Sequence, residues 1–150
     1  MFNDLTWIES EQKVQEYMKN KGFKILETNF SCVGVELDIV AILPKKIQKK
    51  QAKYEMKQRV LEDKKHSSVY KNSFKNMLKT FQDLLVIVEV KGRELDKFGM
   101  GLESISEQKK HNIIRGARFL QTSRNLEKYQ IRFDVASVDN GEVTYVESAF

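Results

Sequence analysis

Five charged side chains in this sequence, Glu11, Glu36, Asp38, Glu89 and Lys91, stand inside patterns that otherwise ask for apolar residues. A charge in such a place costs free energy unless it is paired or binds something, so these positions are where chemistry is to be sought. Glu36 and Asp38 lie two apart in the strand-like run Val35–Leu43, which puts both carboxylates on one face and Val35, Leu37, Ile39 and Ala41 on the other. Glu-x-Lys triplets start at Glu11, Glu55, Glu62, Glu89 and Glu107, so the triplet alone carries little weight. Only Glu89-Val90-Lys91 ends a dense aliphatic run, Leu-Leu-Val-Ile-Val at 84–88, which reads as a central strand. Glu11 occupies a helical face shared with Trp7, Val14 and Met18. Carboxylates gathered in this way suit a hard divalent cation such as Mg²⁺, which activates water for attack on phosphorus. Asp38 and Glu89 suit the ligand role, and Lys91 suits a group that orients the water and offsets phosphoryl charge. An inert ion-pair network at a strand end is the alternative.

The elements that must hold these groups follow from spacing. Thr6-x-x-Glu9 has the form of a capping box and predicts a helix over about 7–21, stopped by Gly22. Residues 23–30 and Val35–Leu43 read as an antiparallel hairpin around a turn at 31–34, and Leu84–Lys91 reads as a third strand. Ser104-x-x-Glu107 predicts a second capped helix running to about Leu120, followed by strands at 129–138 and 142–147 joined by Asp139-Asn140-Gly141. Helix, three strands, helix and two strands fit an α/β fold with a mixed sheet flanked by helices, in a single domain over 1–150.

Charge is distributed unevenly. The formal net charge is +5, yet residues 45–83 hold 12 Lys and Arg against 4 Asp and Glu, leaving the remainder slightly acidic. Helical spacing at Ile47, Tyr54 and Leu61, and again at Tyr70, Phe74, Met77, Leu78 and Phe81, makes this segment a basic insertion of two amphipathic helices. It is either a solvated charged face or an arm for nucleic-acid phosphates. The single Cys32 and the two histidines, His66 and His111, exclude an internal disulfide and a zinc cluster. The longest aliphatic stretch is far below the roughly 20 residues of a membrane span. With polar Asn3 and Asp4 at the start, no secretory signal is evident and a cytoplasmic location is expected.

In order and spacing, several segments resemble the PD-(D/E)xK nucleases. The match is closer still to the YraN-like bacterial family of candidate endonucleases, relatives of archaeal Holliday-junction resolvases. The residues that carry it are Glu11-x-x-Val14-x-x-Tyr17-Met18-x-x-x-Gly22, Asn29-Phe30, Glu36-Leu37-Asp38-Ile39-Val40-Ala41 and Val88-Glu89-Val90-Lys91-x-Arg93. Phe98-Gly99, Lys109, Ala117, Leu120, Arg132-Phe133-Asp134-Val135 and Ala149-Phe150 extend it over the chain apart from about 45–83. Val35 stands where that family usually has Gly, Val14 where it has a small residue and Ser10 where Gly precedes the helical Glu. The resemblance implies a restriction-endonuclease-like core and Mg²⁺- or Mn²⁺-dependent cleavage of DNA, with branched DNA among the candidate substrates. It implies Asp38, Glu89 and Glu11 at the metal, Lys91 as catalytic lysine, Glu36, Arg93 and Lys109 toward substrate, and a homodimer. A non-catalytic nucleic-acid-binding or protein-interaction module on the same fold is the competing expectation.

Overall fold

Val35–Leu43 (β2) and Leu84–Lys91 (β3), rich in the β-branched residues that fit a pleated surface, form neighbouring antiparallel strands at the centre of the sheet. The computed structural model describes residues 2–63, 67–91 and 105–150. Around the two strands are α1 (Phe2–Asn20), β1 (Lys24–Cys32), α2 (Lys45–Glu62), α3 (Ser67–Thr80), α4 (Glu107–Ser123), β4 (Gln130–Asp139) and β5 (Glu142–Val146). The five strands lie in the order β1-β2-β3-β4-β5, with only β3 and β4 parallel. A parallel pair needs a crossover, and α4 supplies it. The architecture is thus α/β, a mixed five-stranded sheet flanked by helices. No helix among the described residues is long and apolar enough to cross a membrane.

Each face of the sheet carries its own core. On one, α1 lays Val14 and Met18 over Ile39, Ala41, Leu43, Val86, Val88 and Val90; on the other, α4 lays Ile113, Ala117 and Leu120 over Leu37, Val40, Ile42, Leu85 and Ile87. Strands covered on both faces read as continuous apolar runs, as β2 and β3 do. Val35 packs against the α4 side, where a Cβ at Gly116 would come within 2.9 Å of its Cγ1. Gly116 therefore makes room for the larger side chain.

Helix boundaries differ from those predicted. α1 begins at Phe2, so Thr6 lies inside it rather than capping it. Its end is a Schellman motif: Phe23 N–H donates to the Met18 carbonyl at 3.0 Å, Gly22 N–H to that of Lys19 at 3.0 Å, and Gly22 has φ of 92°. The cap of α4 is Ser106, whose Oγ accepts from Lys109 N–H at 3.1 Å, two residues beyond the predicted start. Ser104 itself, with Arg93, Phe98, Gly99 and Gly101 of the predicted loop, lies outside the described residues.

The basic segment forms two helices, α2 and α3. Pro44 offers no side-chain cap to α2, and Asp83 takes that place, its Oδ1 accepting from Lys45 N–H at 2.7 Å. Gln48 donates to the carbonyls of Leu43 at 3.2 Å and Gln82 at 2.7 Å, which ties together the two ends of the segment. The expected stripe of Ile47, Tyr54 and Leu61 is corrected: Tyr54 and Leu61 are exposed, and the half-buried apolar positions are Ile47, Ala52, Met56 and Val60. From Ala52 onward the spacing is four rather than seven, which keeps these apolar positions on one side of the helix.

Candidate active site

β2 and β3 part company at one end, and most of the candidate side chains collect there. Their ladder runs from Leu43↔Leu84 to Ile39↔Val88 and goes no further. Beyond it Asp38 replaces a backbone acceptor, its Oδ2 taking the Val90 N–H at 2.8 Å. Side-chain alternation also breaks at Asp38. Val35 and Leu37 pack on the α4 side, whereas Ile39 and Ala41 pack on the α1 side, correcting the expectation that all four share a face. The break lies opposite Asn29, between the pairs Thr28↔Ile39 and Phe30↔Leu37, and Asn29 has a left-handed φ of 51°. Asn tolerates that conformation better than most residues.

Glu11, Asp38 and Glu89 are all buried, at 5%, 6% and 4% exposure, against the tendency of carboxylates to stay in water. Glu11 reaches in from α1, where its Oε2 accepts from Asn29 Nδ2 at 3.1 Å. Its Oε1 is buried with no hydrogen-bond partner. Glu89 sits near the C-terminal end of β3, where its Oε1 meets Lys109 Nζ at 3.1 Å and Lys91 Nζ at 3.5 Å. Lys109 comes from the first turn of α4, positioned by the Ser106 cap.

The electrostatics are those of crowded acids. Burial first, then the charges of Glu89 and Glu11, push Asp38 up from 3.8 to about 8, against the opposing pull of the Val90 N–H and Lys109. A group with that pKa exchanges its proton near neutrality, and a cation arriving beside it would displace the proton.

Asp38, Glu89, Lys91 and Lys109 thus lie together, with Glu11 and Asn29 on the α1 side. Glu36 is not among them: it is exposed and borders a shallow hollow of about 310 Å³ with residues 31–35. Strict alternation placed it with Asp38, and the break in the strand undoes that. Arg93 lies outside the described residues. Asn29 escaped the site reading, although an Asn inside a strand-like run is itself a signal, since strands are poor in Asn.

A divalent cation is the group that the nuclease resemblance implies, and donor chemistry fits it: three buried carboxylates supply hard oxygens, one of them without a partner. Among the described residues no three Asp, Glu, His or Cys side chains already converge on a common point, and Glu89 is paired with Lys91 and Lys109.

A second buried polar cluster, also unforeseen as a unit, pins the C-terminal end. Asp134, fully buried, accepts from Arg132 Nε at 2.9 Å and Nη2 at 2.7 Å, from Tyr145 Oη at 2.7 Å and from Ser148 N–H at 2.9 Å. Every strong acceptor site of the carboxylate is filled, which marks a structural role.

Comparison with known proteins finds relatives over most of the chain. The model of a family described as uncharacterised protein family UPF0102 matches residues 10–138. A UPF0102 protein of Persephonella marina is 29% identical over 150 residues, covering 100% of this chain and 97% of its own length. One of Clostridium acetobutylicum is 28% identical over 146 residues, covering 93% and 88% respectively. One of Caldanaerobacter subterraneus is 29% identical over 128 residues, covering 85% and 74%.

Proposed function

The chain belongs to the uncharacterised protein family UPF0102, and from the acids and lysines gathered where β2 and β3 part we propose that it is a divalent-metal-dependent nuclease acting on DNA, with a restriction-endonuclease-like core. The observation that carries the reading is a buried trio of carboxylates, Glu11, Asp38 and Glu89, of which Glu11 keeps one oxygen without a partner. A structural network would satisfy that oxygen, as the Asp134 cluster does for its own. Asp38, Glu89 and Glu11 would hold Mg²⁺ or Mn²⁺, which supplies Lewis acidity and a water more easily deprotonated. The Val90 N–H, donating to Asp38 Oδ2 at 2.8 Å, would hold that carboxylate in place as a ligand. Lys91, released from Glu89, orients the attacking water and offsets charge on the phosphoryl oxygens. Lys109, about half exposed, would meet a substrate phosphate.

The test is cleavage of supercoiled, linear and four-way-junction DNA in Mg²⁺, Mn²⁺ or EDTA. Cutting is expected only with metal, and Lys91→Ala or Asp38→Ala should lower it by about 10²-fold or more, the scale of losing one electrostatic or acid-base group. Equal cutting by wild type and variants would remove the reading. A second reading, a non-catalytic binding module, rests on one specific observation: Glu89 is already neutralised by two lysines. Wild type inert on all three substrates would favour it.

A further inference from the structure

We propose that the exposed face of α2 binds the phosphate backbone of nucleic acid, as a surface separate from the acidic cluster. The proposal deepens the nuclease reading, since it rests on nucleic acid as the partner, but it requires no cleavage. Lys46, Lys49, Lys50, Lys53, Tyr54 and Lys57 line an open hollow of about 520 Å³ along one side of the helix. Their spacing of three and four residues stacks them on one helical face. At 1.5 Å per residue the stripe is about 16 Å long, roughly half a turn of duplex DNA.

Such a stripe is costly to the helix. Like charges four apart, as in Lys46/Lys50, Lys49/Lys53 and Lys53/Lys57, each oppose helix formation by about 0.2–0.5 kcal/mol. The first turn carries no acid of its own, and Asp83 from beyond the segment supplies the negative charge at that end. Among the described residues none of the five lysines is in an ion pair, whereas a merely solvated face would intersperse both signs. A concentrated, unpaired positive row complements a polyanion of regular charge spacing. A membrane surface is the poorer occupant, because α2 has no buried residue and Tyr54 stands alone among the lysines rather than in an apolar face.

Its root is fixed. Ile47 packs on the α1-side core, within 2.9–3.0 Å of where a Gly22 Cβ would stand, and Asp83 and Gln48 anchor the first turn. Two rulers give the separation from the acidic cluster. Asp38 to Leu43 along β2 is about 17 Å, and Glu11 to Gly22 along α1 is about 16 Å. The arm therefore springs from the end of the sheet opposite the acids.

The experiment is fluorescence anisotropy with a labelled duplex of about 30 bp, in EDTA, over about 50–300 mM KCl. Lys46, Lys50, Lys53 and Lys57, all exposed, are changed together to Gln; a control changes Arg115, Arg118, Arg124 and Lys128, on the α4 side, to Gln. Each phosphate contact contributes a slope of roughly −0.9 in log K against log salt, so the α2 variant should flatten the slope by about 3 to 4 and weaken binding near 0.1 M by about 10³-fold. The control should move the slope by less than about 1. An unchanged slope in the α2 variant, equal flattening in both, or no binding of DNA by wild type would each overturn the proposal. So would α2-dependent binding to phosphatidylserine vesicles without binding to DNA. Circular dichroism of the variant should show undiminished helicity, since neutral side chains relieve repulsion, and lost helicity with a flattened slope would count against a direct contact. A protein that never cuts but shows the α2-dependent slope would retire the nuclease reading alone.

Discussion

Replacing Asp38 with Asn should stabilise the metal-free protein at alkaline pH, and the amount follows from the site. Burial and the neighbouring charges of Glu89 and Glu11 raise the Asp38 pKa from 3.8 to about 8, so the native state holds a proton that the unfolded chain has released. The sign is fixed by that order. The contribution of Asp38 to stability is most favourable below the unfolded pKa, declines as pH rises between the two values, and reaches its full cost above the folded one. About four pH units at ~1.4 kcal/mol each set a ceiling of about 6 kcal/mol. Asn keeps an acceptor for the Val90 N–H but still buries an amide, so a net gain of about 2–3 kcal/mol near pH 9 is expected. For a chain of this size that is roughly 5–10 °C in Tm. Thermal unfolding in EDTA at about pH 4 and pH 9 measures it, with the variant's advantage growing toward alkaline pH. A variant less stable than wild type near pH 9, or an advantage equal at both pH values, would refute the reasoning.

Two further substitutions probe the frame around the site. Gly22→Ala places a Cβ at φ of 92° and within 2.9 Å of the Ile47 side chain, so denaturant titration should show a loss of about 1–2 kcal/mol, part of it recovered in the double variant with Ile47→Ala. Asp134→Asn removes the buried counter-charge of the Arg132 guanidinium, only 14% exposed, and leaves it the half-exposed Glu147 alone, which should cost about 3–5 kcal/mol in the same titration. Glu147→Gln, whose carboxylate is half exposed and 3.6 Å from Arg132, should change stability by less than about 1 kcal/mol.

Much of the frame could be read from residues. β2 and β3 keep their expected bounds because dense β-branched runs have no competing helical period, and Asn140-Gly141 closes the last hairpin with both residues at positive φ. The burial of Glu11 on the inner face of α1 follows from helical spacing with Val14 and Met18. What could not be read are breaks of periodicity. The left-handed Asn29 and the register shift between Ile25 and Glu27 in β1 depend on pairing across strands, and with them goes the fate of Glu36. The local pattern points to Thr6 and Ser104 as caps, whereas the helices start at Phe2 and beside Ser106. Asp83 capping α2, Lys109 reaching Glu89 and Tyr145 reaching Asp134 join residues 11 to 38 positions apart in the chain, and no local spacing encodes them.

The central claim is that Asp38, Glu89 and Glu11 form a metal site, and a crystal soaked in Mn²⁺ tests it most directly. An anomalous peak between Asp38 and Glu89, with the Glu11 oxygen now satisfied and Lys109 and Lys91 withdrawn from Glu89, is the expected result. Saturating Mn²⁺ that leaves both lysines on Glu89 and no ion among the three carboxylates would contradict it.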